Sequence, residues 1–284
     1  MNLVRIIRSF VRFIANIGRT KTGKIGLAMT LSFFFIALFG PWLTPYSPSA
    51  TTGQAYASPS WQHLLGTDDI GEDLLSQLID ATRGSVLVGI CSGAISCFVG
   101  VTIGLIAGYY GGRKGEALMR FTDVTLALPL LPLLVVLGAV FTPSISLVIA
   151  LIGLLSWPST TRAIQSQTIS LSKRPFVDAS RLSGMNSLEI MFKVLLPNQI
   201  SLVMAWGLFA CVTSVILETA LDFIGLGSIQ NLSWGIMLYF AFGRNALLRG
   251  EWWWFIPPGL MIALFGVGLI LIAYEIERVM KVRT

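Results

Sequence analysis

The sequence predicts an all-α protein that crosses a membrane with six helices. Of its 284 residues, 54% are hydrophobic and only 12% are charged, and the mean hydropathy is +0.76. A soluble domain of this length does not need so much apolar surface. The charged residues are also clustered, and the apolar stretches between them reach the roughly 20 residues that a helix needs to cross hydrocarbon.

The positions of the spans follow from the stretches without charge. The run from 124 to 161 is too long for one crossing, and Thr142-Pro143-Ser144 near its middle predicts a tight turn between two helices. Apolar runs without strand alternation favour helices over a barrel, because backbone polar groups in lipid need internal partners. The predicted spans are residues 25–43, 84–110, 117–141, 145–168, 198–222 and 256–277.

Lys and Arg predict the orientation of these spans. They concentrate in the N-terminal segment, after span two, between spans four and five, and in the tail, whereas the opposite side has only Arg83, Arg244 and Arg249. The positive-inside rule therefore places both termini in the cytoplasm. The predicted parts are a cytoplasmic N-terminal segment (1–24), the first span (25–43), an extracytoplasmic segment (44–83), a membrane core (84–277) with a long cytoplasmic loop (170–197), and a cytoplasmic tail (278–284).

The N-terminal segment has the pattern of an amphipathic helix on the inner membrane surface. Its apolar residues recur at helical spacing, and Arg5, Arg12 and Arg19 recur every seven residues on another face. A basic leader with some apolar residues is the alternative interpretation.

Glycines and prolines indicate how two of the spans are shaped. Gly100, Gly104, Gly108 and Gly112 recur at every fourth position of span two, so that a neighbouring backbone can approach closely and the span is expected inside the bundle. Pro129 and Pro132 free backbone carbonyls in span three and predict a bend there.

The sequence offers no catalytic or metal-binding constellation. His63 is the one histidine and is expected to be solvated in an outer loop. Cys91, Cys97 and Cys211 fall within predicted spans, where packing is a more common role than disulfide formation or metal binding. We therefore expect neither enzyme activity nor a cofactor nor a metal in this chain.

Three carboxylates lie within or beside the predicted spans. Glu218 and Asp222 are one turn apart near the outer end of span five, and Asp123 opens span three near Arg120. A charge in lipid is costly, so each side chain is expected to face protein or water. Two roles are open: a polar element of a translocation path or its gate, and a hydrogen-bonded latch at a helix end. The latch is favoured for Asp222 and Asp123. For Glu218 the two roles are equally supported.

The most specific motif lies in the basic cytoplasmic gap between spans four and five. Its residues keep a fixed spacing: Asp178, Ala179, Ser180, Gly184, Val194, Leu196 and Pro197. The pattern resembles the signature loop of ATP-binding-cassette importer permeases, in which a short helix, a turn at the glycine and a second helix dock on an ATPase. Gly184 is expected to supply a turn that a side chain would obstruct.

Other blocks narrow this resemblance to the second permease subunit of the dipeptide, oligopeptide and nickel branch. They are residues 65–76, 108–112, 120–123 with Pro129, 218–227 and 233–235. The resemblance covers about residues 20 to 270 and implies the type I importer permease fold with a cytoplasmic coupling helix. Asp178 and Ser180 stand where the family usually has Glu and Ala, and these replacements keep the charge and the small size.

The resemblance implies a permease subunit of an ATP-driven importer for peptides or related small solutes, working by alternating access. The implied partners are a homologous second permease in a heterodimer, two ATPases that bind ATP and Mg, and an extracytoplasmic solute-binding protein. The implied location is the plasma membrane, which is the inner membrane in a Gram-negative cell. A stand-alone channel or secondary transporter is the alternative, but it predicts an inverted repeat or more charge within the membrane.

Overall fold

The computed structural model describes residues 18, 20–228 and 230–281, and this part of the chain is almost wholly helical. The predicted amphipathic helix at 1–24 lies largely outside the described residues. In chain order the helices are α1 (Lys21–Leu43), α2 (Leu74–Tyr110), α3 (Gly112–Ala127), α4 (Leu130–Val140), α5 (Ile145–Leu155), α6 (Pro158–Ser172), α7 (Pro175–Leu182), α8 (Ser187–Glu189), a π-helix (Ile190–Leu195), α9 (Leu196–Asn198), α10 (Ile200–Phe223), α11 (Trp234–Gly243), α12 (Ala246–Arg249) and α13 (Trp252–Lys281).

The helices match five of the six predicted spans by length and composition, and all six if one bent pair of helices is counted as a span. Helices α1, α2, α10 and α13 are each long and apolar enough to cross a membrane, and α5 with α6 passes the same test as one stretch. The bent pair is α3 and α4, at the position of the third predicted span. The prediction of an all-α membrane protein is therefore confirmed. We call the end of the bundle that carries the loop between α6 and α10 the inner end, and the opposite end the outer end.

The third and fourth spans are both broken near their middles. Helices α3 and α4 meet at 79°, because Pro129 cannot continue a helix and holds Leu128 in extended backbone (φ −75°, ψ 131°). The predicted bend in span three is confirmed at Pro129. Pro132 falls in the first turn of α4, where its missing N–H removes no helical hydrogen bond. Between α5 and α6 the chain breaks before Pro158, which occupies the first position of α6.

Helix α2 lies at the centre of the bundle, and its glycines bring α6 close. A Cβ atom added at Gly104 would lie 2.8 Å from the carbonyl oxygen of Thr161, and one added at Gly108 would lie 2.6 Å from the Cβ atom of Thr168. Gly100 meets α6 in the same way, one turn earlier. Only glycine fits at these positions without separating the two backbones.

Gly112 does not belong to this packing stripe, contrary to the prediction. It is the first residue of α3, its φ is 47°, and a Cβ atom added there would meet no atom within 4 Å. Gly111 has a φ of 54°. The two glycines instead let the chain turn from α2 into α3 through backbone conformations that other residues rarely adopt.

The segment before α2 is folded around a buried contact between a histidine and an aspartate. The Nδ1 atom of His63 lies 2.9 Å from Oδ1 of Asp73, and both side chains are buried. The other carboxylate oxygen of Asp73 accepts hydrogen bonds from the backbone N–H and the hydroxyl of Ser76 and so caps α2. The prediction that His63 is solvated is therefore wrong, because a buried carboxylate needs donors and His63 supplies one. The cap also explains why α2 begins at Leu74, well before the predicted span.

An aromatic cluster joins the first and last spans to the short helix α11. The rings of Phe33, Trp234 and Phe265 lie 5.3 to 5.9 Å apart in edge-to-face contact. Such contacts add to the stabilisation that comes from burying the rings. Helices α1, α11 and α13 therefore pack as one unit against the outer half of α2.

Candidate functional site

The loop between α6 and α10 forms two short helical arms at the inner end of the bundle. The first arm, α7, starts at Pro175, whose fixed φ suits the first helical position, and carries the motif residues 178–180. It ends at Leu182, and the N–H of Gly184 just beyond donates to the carbonyl oxygen of Arg181 at 3.0 Å. The arm is thus a complete helix with a defined end.

Gly184 reverses the chain by its backbone conformation. Its φ is 79°, in the left-handed region that glycine adopts without strain. A Cβ atom added there would meet nothing within 4 Å. The expectation that a side chain would obstruct the turn is therefore wrong, since the space is open. What requires glycine is the dihedral angle.

The second arm begins with a capping box and continues through the π-helix into α9. The Asn186 side chain accepts from the backbone N–H of Glu189 at 2.9 Å, and the Glu189 carboxylate accepts from the N–H of Asn186 at 3.2 Å. Glu189 also accepts a hydrogen bond from the Lys193 ammonium at 2.7 Å. This bond, with that from Asn186, lowers the pKa of Glu189 below its ordinary value.

Both arms are anchored to the spans by apolar side chains. Val177 of α7 and three residues of the second arm, Ile190, Met191 and Leu195, are fully buried in one cluster. The cluster also contains Leu105 of α2 and Ile164 of α6. Burial of this kind couples a movement of the loop to a movement of the spans. The sequence analysis did not single out these anchors, although positions 190, 191, 194 and 195 have helical spacing.

The motif residues divide between the anchored side of the loop and its free side. Val194 and Leu196 pack partly against the anchor cluster. On the free side, exposed apolar residues stand beside the exposed ion pair of Asp178 and Arg181. We call this surface the docking face; it comprises Phe176, Asp178, Ala179, Arg181, Leu182, Leu188 and Phe192. Ser180 is partly buried and Pro197 is exposed.

Glu218 belongs to a buried polar cluster between α2, α10 and α11. Its carboxylate accepts hydrogen bonds from the hydroxyl of Ser85 at 3.2 and 3.3 Å. The Ser85 oxygen in turn accepts from the backbone N–H of Trp234 at 3.1 Å. The adjacent cavity measures only about 20 Å³, which is too small for a solute. This geometry supports the latch interpretation of Glu218.

Asp222 closes the same cluster one turn further along α10. Its carboxylate accepts a hydrogen bond from Ser233, whose oxygen also caps α11 at the N–H of Ile236. Gly235 packs directly on it, since a Cβ atom added at Gly235 would lie 2.7 Å from the Cβ atom of Asp222. Asp222 therefore holds the start of α11 against α10, as a latch would.

Asp123 has a different environment from these two carboxylates. It forms an ion pair with Arg162 of α6, with Oδ1 2.7 Å from the guanidinium, and both side chains are more than half exposed. The sequence analysis placed Asp123 near Arg120 and did not foresee the partner on α6. The pair joins the inner halves of the two broken spans.

The outer end of the bundle holds a larger, acidic cavity of about 470 Å³. Asp69 pairs there with Arg244 at 2.8 Å. The amide of Gln77 donates to both Asp68 and Glu72, at 2.8 and 2.7 Å. Partial burial raises the pKa of Glu72 above its ordinary value, and the nearby charge of Asp68 raises it further.

Within the described residues, no group of three or more His, Cys, Asp or Glu side chains could hold a metal ion. Cys91, Cys97 and Cys211 are free thiols, each partly buried in a span.

These features define a polytopic helical membrane protein with a structured loop anchored firmly to its spans. Residues 100–282 match the family model described as "Binding-protein-dependent transport system inner membrane component". Residues 12–60 match the model described as "N-terminal TM domain of oligopeptide transport permease C". The chain belongs to the family of binding-protein-dependent transport system inner membrane components, and the resemblance inferred from its motifs is confirmed.

Individual relatives extend this result to most of the chain. The di/tripeptide transport system permease protein DppC of Pseudomonas aeruginosa is 37% identical over 247 residues, which are 84% of this chain and 80% of the relative. The dipeptide transport system permease protein DppC of Haemophilus influenzae is 34% identical over 84% of this chain and 82% of its own.

A solved structure shows the same fold at low sequence identity. A chain of the MetNI methionine ABC transporter, in an inward-facing conformation, aligns with a TM-score of 0.53 and 18% identity. The alignment covers 74% of this chain and 98% of that one.

Proposed function

We propose that this chain is the permease subunit of an ATP-driven importer of dipeptides or related small peptides. The names of its relatives support the substrate class. The two-armed loop supports the energy coupling, because it combines a buried anchor on α2 and α6 with a docking face that the described residues leave exposed.

The proposed partners follow from this arrangement. A homologous second permease completes the translocation path, and two ATPases bind the docking faces of the two permeases. ATP and Mg are bound by those ATPases, and this chain has no enzyme activity of its own. A solute-binding protein delivers peptide at the outer end. Closure of the ATPases would move the loop, and the anchor cluster would pass this movement to the spans in alternating access.

The proposed topology places the inner end in the cytoplasm. Both termini lie on that side, and the protein resides in the plasma membrane, or the inner membrane of a Gram-negative cell. The excess of Lys and Arg at the inner end supports this orientation.

The decisive experiment is purification of the assembled complex followed by peptide uptake into proteoliposomes. Wild-type protein should retain both ATPases and take up a dipeptide when ATP and the binding protein are supplied. Leu182→Asp places a charge on the docking face, where the side chain is 90% exposed, and should release the ATPases. Leu248→Asp is the matched control, because Leu248 is 85% exposed at the outer end.

Two results would contradict the proposal. Peptide uptake by a preparation that contains no ATPase would favour the stand-alone transporter. Equal retention of the ATPases in both variants would show that the docking face lies elsewhere.

A further inference from the structure

The two broken spans change character at their breaks. Helices α4 and α5, which form the outer halves, are almost entirely apolar. Helices α3 and α6, which form the inner halves, carry charged residues, hydroxyls and amides along their length. The two breaks also lie together, since Leu128 and Leu130 line one small cavity of about 80 Å³ with Ser156 and Pro158. Spans three and four thus each have a polar inner half and an apolar outer half.

Helix α6 presents two distinct faces. One face is buried against the glycines of α2 and includes Thr161, Ile164 and Thr168. The other face is exposed and carries Ser159, Arg162, Ser166 and Ser170, which follow one another at helical spacing. None of these three serine hydroxyls has a hydrogen-bond partner within the described part of the chain. We call this surface, together with Asp123, the polar face.

The ion pair at the centre of the polar face is open to further binding. Arg162 and Asp123 are 56% and 53% exposed. One guanidinium nitrogen contacts Oδ1 of Asp123, and the remaining guanidinium donors and the second carboxylate oxygen have no partner among the described residues. An exposed pair of this kind contributes little to stability. The neighbouring stack of Phe121 on Trp157, with centroids 5.8 Å apart, already holds α3 against α6.

Lipid is a poor environment for this pair. Arg162 belongs to the predicted fourth span (145–168) and lies six residues before its inner end, which is about 9 Å along a helix at 1.5 Å per residue. Charged and hydroxyl side chains at such depth face water or protein, because lipid cannot satisfy them. The three unpaired serine hydroxyls on the same face as Arg162 are suited to a water-filled passage.

We infer that the polar face lines the inner half of the translocation path and that Asp123 and Arg162 hold the termini of a passing peptide. This inference rests on the proposed function. Asp123 receives the ammonium group and Arg162 receives the carboxylate, whose two oxygens match the planar donors of a guanidinium. A zwitterion satisfies both side chains at once, whereas a single ion would satisfy one and repel the other.

The first test is labelling by a charged, membrane-impermeant thiosulfonate reagent on the assembled transporter, with Cys91, Cys97 and Cys211 replaced by Ala. Ser159→Cys and Ser166→Cys should react at least 10-fold faster than Leu154→Cys. Leu154 is the matched control, because it lies in the same span, is 56% exposed, and belongs to the apolar outer half. Reaction of the two serine positions no faster than that of Leu154→Cys would overturn the inference.

The second test adds ligand to the inner side without the binding protein. Millimolar Ala-Ala should slow the labelling of Ser166→Cys several-fold, whereas the same peptide with an acetylated N-terminus and an amidated C-terminus should not. Adding Arg162→Gln should abolish the protection. Equal effects of both peptides, or protection that survives Arg162→Gln, would overturn the assignment of the pair.

Uptake assays separate this inference from the proposed function. If the wild-type complex imports dipeptide but dipeptide does not protect the Ser166→Cys variant from labelling, the binding role of Asp123 and Arg162 is overturned and the proposed function is not. Wild-type complex that imports no peptide overturns the proposed function, and the labelling rates then still decide whether the polar face is a water-filled passage.

Discussion

The hydroxyl of Ser85 on α2 lies 3.2 Å from the carboxylate of Glu218 on α10, although 133 residues separate them in the chain. The same oxygen accepts the first backbone N–H of α11. One hydroxyl therefore joins three helices at the outer half of the bundle. A buried carboxylate at this position needs a hydrogen-bond donor, and Ser85 supplies one.

Removal of this hydroxyl should destabilise the protein. Ser85→Ala leaves both the Glu218 carboxylate and the Trp234 N–H short of a partner, at a cost of about 1 to 3 kcal/mol in the free energy of unfolding. Thermal unfolding of the complex in detergent measures the change. Thr213→Ala is the control, because Thr213 lies on the same helix as Glu218, is exposed, and donates only to the carbonyl oxygen of Phe209 one turn earlier. Unchanged melting with lost uptake would favour a place in the translocation path over a latch.

A second prediction concerns the contact between Gly235 and Asp222. Gly235→Ala would bring a Cβ atom within 2.8 Å of the Cα atom of Thr219 and 2.7 Å of Asp222. Overpacking of this kind costs about 1 to 3 kcal/mol, so the variant should melt at a lower temperature. Gly243→Ala, in the same helix but with open space around it, should be neutral or slightly stabilising. Equal melting temperatures for the two variants would show that α11 can move away from α10 without loss.

The spans were predictable because lipid imposes one simple requirement on the sequence. A crossing needs about 20 apolar residues with internally satisfied backbone, and that requirement is visible in the runs between charges. Pro129 likewise acts on its immediate neighbours, so the bend in span three could be located from sequence. The position of Gly184 in a turn was visible from its spacing, but the reason for glycine, a φ of 79° in open space, was not.

Long-range pairing accounts for what the sequence did not reveal. His63 was assigned to solvent because a lone histidine in a loop has no visible partner, yet the fold places it against Asp73. Asp123 has Arg120 close in sequence, but its partner is Arg162, from the next span. Helical periodicity shows which face of an element is apolar, and it contains no information about which polar groups on separate elements meet.

The turn at Gly184 should tolerate asparagine and reject valine. Asn adopts left-handed backbone at modest cost, whereas a β-branched residue is strained there by about 1 to 2 kcal/mol. Gly184→Val should therefore misalign α7 and reduce both ATPase retention and coupled uptake, with membrane insertion intact. Gly184→Asn should keep most of both. Co-purification of the ATPases measures the difference, and normal uptake by the valine variant would refute a role of this turn in coupling.

The outer cavity gives a prediction about pH. Burial and the charge of Asp68 raise the pKa of Glu72 above its ordinary 4.5, so the folded state holds this proton more tightly than the unfolded state does. Stability is therefore lost as pH rises from 4.5 through the folded-state pKa, and the loss is complete above it. Glu72→Gln removes the charge and keeps an acceptor for Gln77. The variant should melt at a higher temperature than wild type at pH 7, and the difference should vanish below pH 4.5.

Glu189 should show the opposite dependence of stability on pH from that of Glu72, and the same melting measurements test it. Its pKa is lowered by the hydrogen bond from Lys193, so its contribution to stability is present above the unfolded-state pKa and is lost as pH falls through the folded-state value. Glu189→Gln should thus lower the melting temperature at pH 7, and the difference from wild type should shrink on acidification. Melting curves of both variants between pH 3 and 8 test the two signs together. A stabilising effect of Glu189→Gln, or a Glu72→Gln effect that does not change with pH, would show that other groups control the two sites.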